Sequence, residues 1–161
     1  MRPGLALLPL IAASLAACDG GLLSTGDEPA EFPAPDRPVS GIGTYSIDSE
    51  DQRDSRGEAQ TVMDLAELEP GMTVADIGAG NGYYTLRLAK RVGETGRVLA
   101  QDIDGDALAR LGRRVERQRL DNVSIRRGEP ADPRLPANSF DRVFMVHMYH
   151  EIEQPYEFLW R

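Results

Sequence analysis

Four apolar side chains, Ala59, Val62, Met63 and Ala66, recur at the i, i+3, i+4, i+7 spacing of a single helix face. Pro70-Gly71 ends that pattern, and the short apolar run TVAD at 73–76 reads as a strand. From Asn81 to Val92 the helical period returns, with Tyr84, Leu88, Ala89 and Val92 on one side. Gly93 and Gly96 bracket the turn into RVLAQD (97–102), a second strand. Asp104 is placed to cap the next helix, whose apolar stripe is Ala107, Leu108, Leu111 and Val115. The other side of that helix carries Arg110, Arg113, Arg114 and Arg117, read as a solvated face. NVSIRR (122–127) and FDRVFMV (140–146) supply the third and fourth strands.

Strands alternating with helices predict an α/β domain built on a parallel sheet with right-handed crossovers. In such sheets ligands bind beyond the carboxyl ends of the strands, where strand order reverses. The loop that leaves the first strand, in VADIGAGNGYYT (74–85), carries glycine at every second position and falls at that crevice.

The N-terminus reads differently. Arg2 precedes an apolar stretch from Leu5 to Ala17, too short to span a bilayer as a mature helix, so 1–17 is expected to be a signal peptide. The chain's single cysteine, Cys18, follows Leu15-Ala16-Ala17 in a pattern that resembles the lipobox of bacterial lipoproteins. Acylation there would anchor the chain to a membrane, and Asp19 resembles an inner-membrane retention signal. Residues 18–44, rich in Gly, Ser, Pro and acids, are expected to form a flexible tether. The folded domain is then 45–161. With 18 basic against 26 acidic residues the net charge is −8, which argues against nucleic acid as a partner.

The glycine loop narrows the chemistry. Gly78, Gly80 and Gly82 give G-x-G-x-G, whereas a dinucleotide fingerprint is G-x-G-x-x-G, and Tyr83 stands where its third glycine belongs. A pyrophosphate site is therefore disfavoured. A ligand without phosphate needs only a close backbone approach, which glycine permits. Asp102, ending the second strand, is an acceptor able to take hydrogen bonds from two hydroxyls. Asp76 is placed either to face a ligand ammonium or to cap the following helix.

The stretch DLAELEPGMTVADIGAGNGYYTLRLAKRVGETGRVLAQDID resembles the opening of class I S-adenosylmethionine-dependent methyltransferases, in the manner of the quinone-biosynthesis C-methyltransferases. The resemblance implies a Rossmann-like sheet with flanking helices and S-adenosyl-L-methionine as cofactor. It implies that Asp76, Gly78, Gly80 and Gly82 meet the methionine end, that Asp102 holds the ribose, and that Ile103 lies against adenine. RGEPADPRLPANSFD resembles a further family segment, placing Glu129 at the adenine amino group. Pro130 departs from that pattern because it has no N–H to offer adenine, and Ala131 is the substitute donor.

MVHMYHEI holds both histidines, His147 and His150. Their spacing does not match H-E-x-x-H and no cysteine is at hand to add a ligand, so no metal site is expected. In the resembled family this stretch borders the transferred methyl, which makes His147 a candidate general base; a histidine that only packs fits the position equally.

The family's sheet has seven strands and four are legible, so the chain reads as the N-terminal part of the domain, with the fourth strand as an open edge. The leading expectation is an S-adenosylmethionine-dependent methyltransferase of the bacterial cell envelope, on the periplasmic side of the inner membrane. It would act on a small-molecule acceptor such as a lipid or a quinone. Were the start codon misassigned, the protein would be cytoplasmic. The alternatives are a non-catalytic nucleoside-binding lipoprotein and, third, a nicotinamide-dependent oxidoreductase.

Overall fold

The computed structural model describes residues 32–41 and 48–160. The expected signal peptide and Cys18 lie outside the described residues. Ser49 opens the first helix, α1 (Glu50–Ser55), with a capping box: the Gln52 amide donates to Ser49 Oγ at 3.3 Å, and the Ser49 amide donates to Gln52 Oε1 at 2.9 Å. Helix α2 (Glu58–Leu65) follows and buries Ala59 and Met63, the face its apolar spacing predicts.

The alternating part of the chain runs β1 (Thr73–Ile77), α3 (Tyr83–Val92), β2 (Arg97–Asp102), α4 (Gly105–Gln118), β3 (Val123–Arg127) and β4 (Arg142–Phe144). A single turn of 3₁₀ helix (Tyr149–Glu151) and α5 (Pro155–Trp160) complete it. The strands form one parallel sheet in the order β3-β2-β1-β4, with Ala75 facing Leu99 on one side and Val143 on the other. The chain steps outward from β1 to β3, then returns to the far side of β1 as β4. Strand order therefore reverses at β1, and the crevice opens beyond its carboxyl end. This is the Rossmann-like α/β architecture, with four strands in place.

Helix α3 is the hinge of the packing. Its Tyr84, Leu88, Ala89 and Val92 join Ala59, Met63, Val74 and Val98 in one buried cluster. Leu86 turns the other way, to Ala79, Ala100, Leu108 and Leu111 beneath α4. Asn122 locks the end of α3 by donating from Nδ2 to the carbonyls of Ala89 and Gly93, each at 2.9 Å. Asp104 caps α4 as expected, accepting the Asp106 N–H at 2.8 Å.

Strand β4 is shorter than the 140–146 read from its apolar run. It has one neighbour, β1, among the described residues, and only Arg142–Phe144 pair with it. Val143 is 49% exposed on this edge. In α5, Phe158 packs with Ile77 and Ile152, whereas Leu159 and Trp160 are about as exposed as surface residues, at 59% and 61%.

Candidate functional site

Three glycines follow Asp76 and Ile77 at the end of β1, and all three hold positive φ: +71° at Gly78, +53° at Gly80 and +88° at Gly82. L-residues avoid that region, which explains the alternation. The three nonetheless face different surroundings. Around a Cβ placed on Gly80 there is open space to 4 Å, so the backbone there is bare toward the crevice. A Cβ on Gly78 would meet Met148 Cγ at 2.9 Å. A Cβ on Gly82 would meet Leu111 Cδ1 at 2.3 Å. Gly82 therefore serves helix packing, letting α4 close on the start of α3; it does not line the crevice, unlike its expected partners Gly78 and Gly80.

Asp102 ends β2 beside this loop. Its Oδ2 accepts the Gly80 N–H at 2.7 Å, and its Oδ1 accepts the Asp104 N–H at 2.9 Å. Each oxygen keeps a lone pair for another donor. The Ala79 N–H donates to the Gln101 carbonyl at 2.9 Å, which fixes the loop to the same strand end.

Asp76 is 3% exposed and accepts the Thr85 hydroxyl at 2.5 Å, so it braces the first turn of α3 from below while lining the crevice. It thus meets the following helix through the Thr85 side chain, while the N-cap position of α3 is Gly82. Burial pushes the Asp76 carboxyl up to about 6, and the charge of Asp102 adds to the rise against the opposing bonds from Thr85. A cation settling between the two carboxylates would relieve that cost.

The crevice encloses about 870 Å³, within the range of cofactor sites. Eight acidic side chains line it against two arginines, Arg53 and Arg110. Ile103 and Ala107 give it an apolar wall beyond Asp102. Glu129, Pro130 and Ala131 form part of the lining, but the Glu129 carboxylate is exposed and paired with Arg134. Such a lining suits a cation bearing hydroxyls and repels a pyrophosphate.

Two of the four arginines read as a solvated face of α4 also make contacts outside the helix, Arg110 while staying exposed. Arg110 donates to Asn81 Oδ1 at 2.8 Å. Arg114 donates to the Asn81 carbonyl at 2.7 Å and to Glu50 Oε1 at 2.6 Å, tying the glycine loop to α1.

His147 stands just past β4 with φ +60°, unusual for a residue with a side chain, and lines the crevice. Its Nε2 lies 3.2 Å from Glu58 Oε1. Glu58 is itself held by the buried Arg53, whose Nη2 donates at 2.6 Å, and by the Tyr84 hydroxyl at 2.9 Å. The Arg53 hydrogen bonds hold the Glu58 carboxyl down to about 2. Arg53 also lies 3.6 Å from the centre of the Tyr83 ring, a cation–π contact. Sequence reading did not find Arg53 or Glu58. They sit on two short helices, and their partners are far along the chain, with His147 separated from Glu58 by 89 positions.

Residues 37–41 fall inside the segment expected to be a flexible tether, yet they dock on the turn after β4. Arg37 donates to the carbonyls of Tyr149, His150 and Ile152 at 3.1, 3.2 and 2.7 Å. The Ser40 N–H donates to His150 at 3.0 Å, and Val39 to Gly41 line the crevice.

A bare glycine turn, a strand-end carboxylate bonded to it and an acid-lined crevice come together at the point of strand reversal in this α/β domain. Residues 74–159 match the methyltransferase-domain family, and the chain belongs to that family. It is 36% identical over 88 residues to nocamycin O-methyltransferase of Saccharothrix syringae, a stretch covering 55% of this chain and 31% of that enzyme. It is 41% identical over 63 residues to the ubiquinone/menaquinone biosynthesis C-methyltransferase UbiE of Hydrogenovibrio crunogenus, covering 39% of this chain and 23% of the relative. The chain thus spans a third or less of these relatives. The crystal structure of a SAM-dependent methyltransferase from Aquifex aeolicus superposes with a TM-score of 0.60 at 30% identity, covering 70% of this chain and 64% of that one.

Proposed function

We propose that this protein binds S-adenosyl-L-methionine in the glycine-loop crevice and transfers its methyl group to a small-molecule acceptor. The observation that carries the reading is the Asp102 carboxylate, accepting the Gly80 N–H at 2.7 Å beside an open backbone. Cofactor and crevice suit one another on the donor set: Asp102 has acceptor capacity for ribose hydroxyls, Ile103 and Ala107 offer an apolar wall for a base, and Asp76 supplies charge for a cation. Glu129 and Ala131 are among the lining residues, and the base's polar edge would meet them there. When bound, the cofactor supplies an electrophilic methyl on a sulfonium. The chain's part is to hold donor and acceptor in line and to exclude water. His147, also at the crevice, would take a proton from an acceptor that must lose one.

The family resemblances to a C-methyltransferase and to an O-methyltransferase support the reaction class and leave the acceptor open. Anchoring to a membrane of the cell envelope through Cys18 belongs to this proposal and is supported by the LAAC pattern after an apolar run. A lipid or quinone acceptor follows from that address. Calorimetric titration of the full-length chain with S-adenosylmethionine, S-adenosylhomocysteine and NAD tests the ligand. The expected result is binding of the first two and none of the third; NAD binding in preference would overturn the reading.

A further inference from the structure

We infer that Glu58 and His147 form a dyad in which Glu58 is a positioning residue, fixing the proton on His147 Nε2 and leaving Nδ1 as the base for a weakly acidic hydroxyl acceptor, of the phenol or enol kind. The inference rests on the methyl-transfer reading and adds to it a proton path and an acceptor class.

The geometry dictates the tautomer. Glu58 Oε1 is 3.2 Å from His147 Nε2. Glu58 already accepts from Arg53 Nε at 3.1 Å on both oxygens, from Arg53 Nη2 at 2.6 Å and from the Tyr84 hydroxyl at 2.9 Å. With Arg53 holding it down to about 2, this carboxylate is ionised at any working pH and can only accept. The proton between the two side chains must therefore sit on Nε2. In a neutral imidazole that leaves the lone pair on Nδ1. Glu58 on α2 meets the ring, with Arg53 of α1 and Tyr84 of α3 bonded to Glu58 behind it, while Asp76 of β1 and Glu151 of the 3₁₀ turn line the same crevice. Arg53 is occupied with Glu58, so Glu58 is the carboxylate that claims the ring. His147 adopts a left-handed backbone, φ +60°, just past the edge strand, and lines the crevice.

The acceptor class follows from nucleophilicity. An amine arrives with a free lone pair and sheds its proton after transfer, whereas a neutral hydroxyl is a weak nucleophile and gains most from a base. In balance, the acceptor O–H passes its proton to Nδ1, the oxygen forms the new C–O bond, the C–S bond breaks with its electron pair retained by sulfur, and the proton leaves Nδ1 for water.

The test reads the ring directly. Long-range ¹H–¹⁵N NMR of the full-length chain at neutral to mildly basic pH should show His147 with the proton on Nε2 alone. Glu58→Ala should populate both tautomers, while Glu58→Gln, which keeps an oxygen acceptor, should preserve the single form. A proton on Nδ1 in the wild type, or the same tautomer mixture in wild type and Glu58→Ala, would overturn the dyad. Turnover of a panel of simple phenols and amines reads the acceptor class: phenol methylation should fall by about 10²–10⁴-fold in His147→Gln. Amine turnover in preference to phenol, or phenol turnover that survives His147→Gln, would overturn it. Calorimetric binding of S-adenosylmethionine to the same samples keeps the two readings apart. Loss of cofactor binding in the wild type defeats the methyl-transfer reading, whereas binding with the wrong tautomer defeats only the dyad.

Discussion

The carboxylate of Asp102 reaches across from the end of β2 to accept the amide of Gly80, at 2.7 Å, in the loop that leaves β1. This bond ties the glycine loop to the neighbouring strand end at the point where strand order reverses. It also turns a strand-end acid toward a backbone stripped of side chains, a setting in which hydroxyl-bearing ligands find both an acceptor and room.

Gly80 and Gly82 should respond in opposite ways to substitution. Gly82→Ala puts a Cβ 2.3 Å from Leu111 Cδ1 on a backbone at φ +88°, so it should lower stability by about 1–3 kcal/mol. Gly80→Ala meets no neighbour within 4 Å and carries only the strain of its φ of +53°. It should cost less stability yet weaken cofactor binding by narrowing the approach. Thermal melts of the two variants beside calorimetric titrations check the contrast.

Asp76→Asn should separate stability from function. The buried carboxyl titrates at about 6 in the fold against an ordinary value of 3.8. A raised folded value means that the native state holds the proton more tightly, so stability falls as pH rises from about 3.8 through about 6 and stays lower above it. Asparagine keeps an acceptor for Thr85 without the charge. The variant should therefore be more stable at pH 8, by up to about 3 kcal/mol at roughly 1.4 kcal/mol per pKa unit, with little gain at pH 4. Its affinity for a cationic cofactor should drop. Melting temperatures at both pH values, with binding at pH 8, test both signs.

Glu58 should behave in the reverse sense. Arg53 lowers its carboxyl from 4.5 to about 2, so the stabilisation is fully present above 4.5 and is lost as pH falls through about 2. Glu58→Gln removes that contribution, and the difference in stability between wild type and variant should shrink as pH is taken from 5 to about 2. Urea melts across that window measure it; a difference independent of pH would contradict the assignment.

Much of the scaffold was legible because it depends on local pattern. RVLAQD is β2 to the residue, Asp104 caps α4, and the 3.6-residue period located α2, α3 and α4. The SEDQ capping box of α1 carried a readable signal in Ser49 and Gln52 and went unread because its helix is only six residues long. The site was legible where it lies on the glycine loop and the strand ends. It was not where it depends on packing. Gly82 shares a spacing with Gly78 and Gly80 but its Cβ direction meets Leu111, which spacing alone does not encode. Arg37, read as tether, finds its carbonyl partners more than a hundred positions away, at Tyr149, His150 and Ile152. The pairing of Glu58 with His147 likewise exists only because β4 returns beside β1.

The most direct test of the central claim is calorimetric titration of the full-length wild-type chain and its Asp102→Ala variant with S-adenosylmethionine. Loss of a hydrogen-bonded carboxylate should weaken binding by about 1.5–3 kcal/mol, roughly ten- to hundredfold in Kd, with the fold retained by circular dichroism. Equal affinity in the two proteins, or no binding by the wild type, would contradict it.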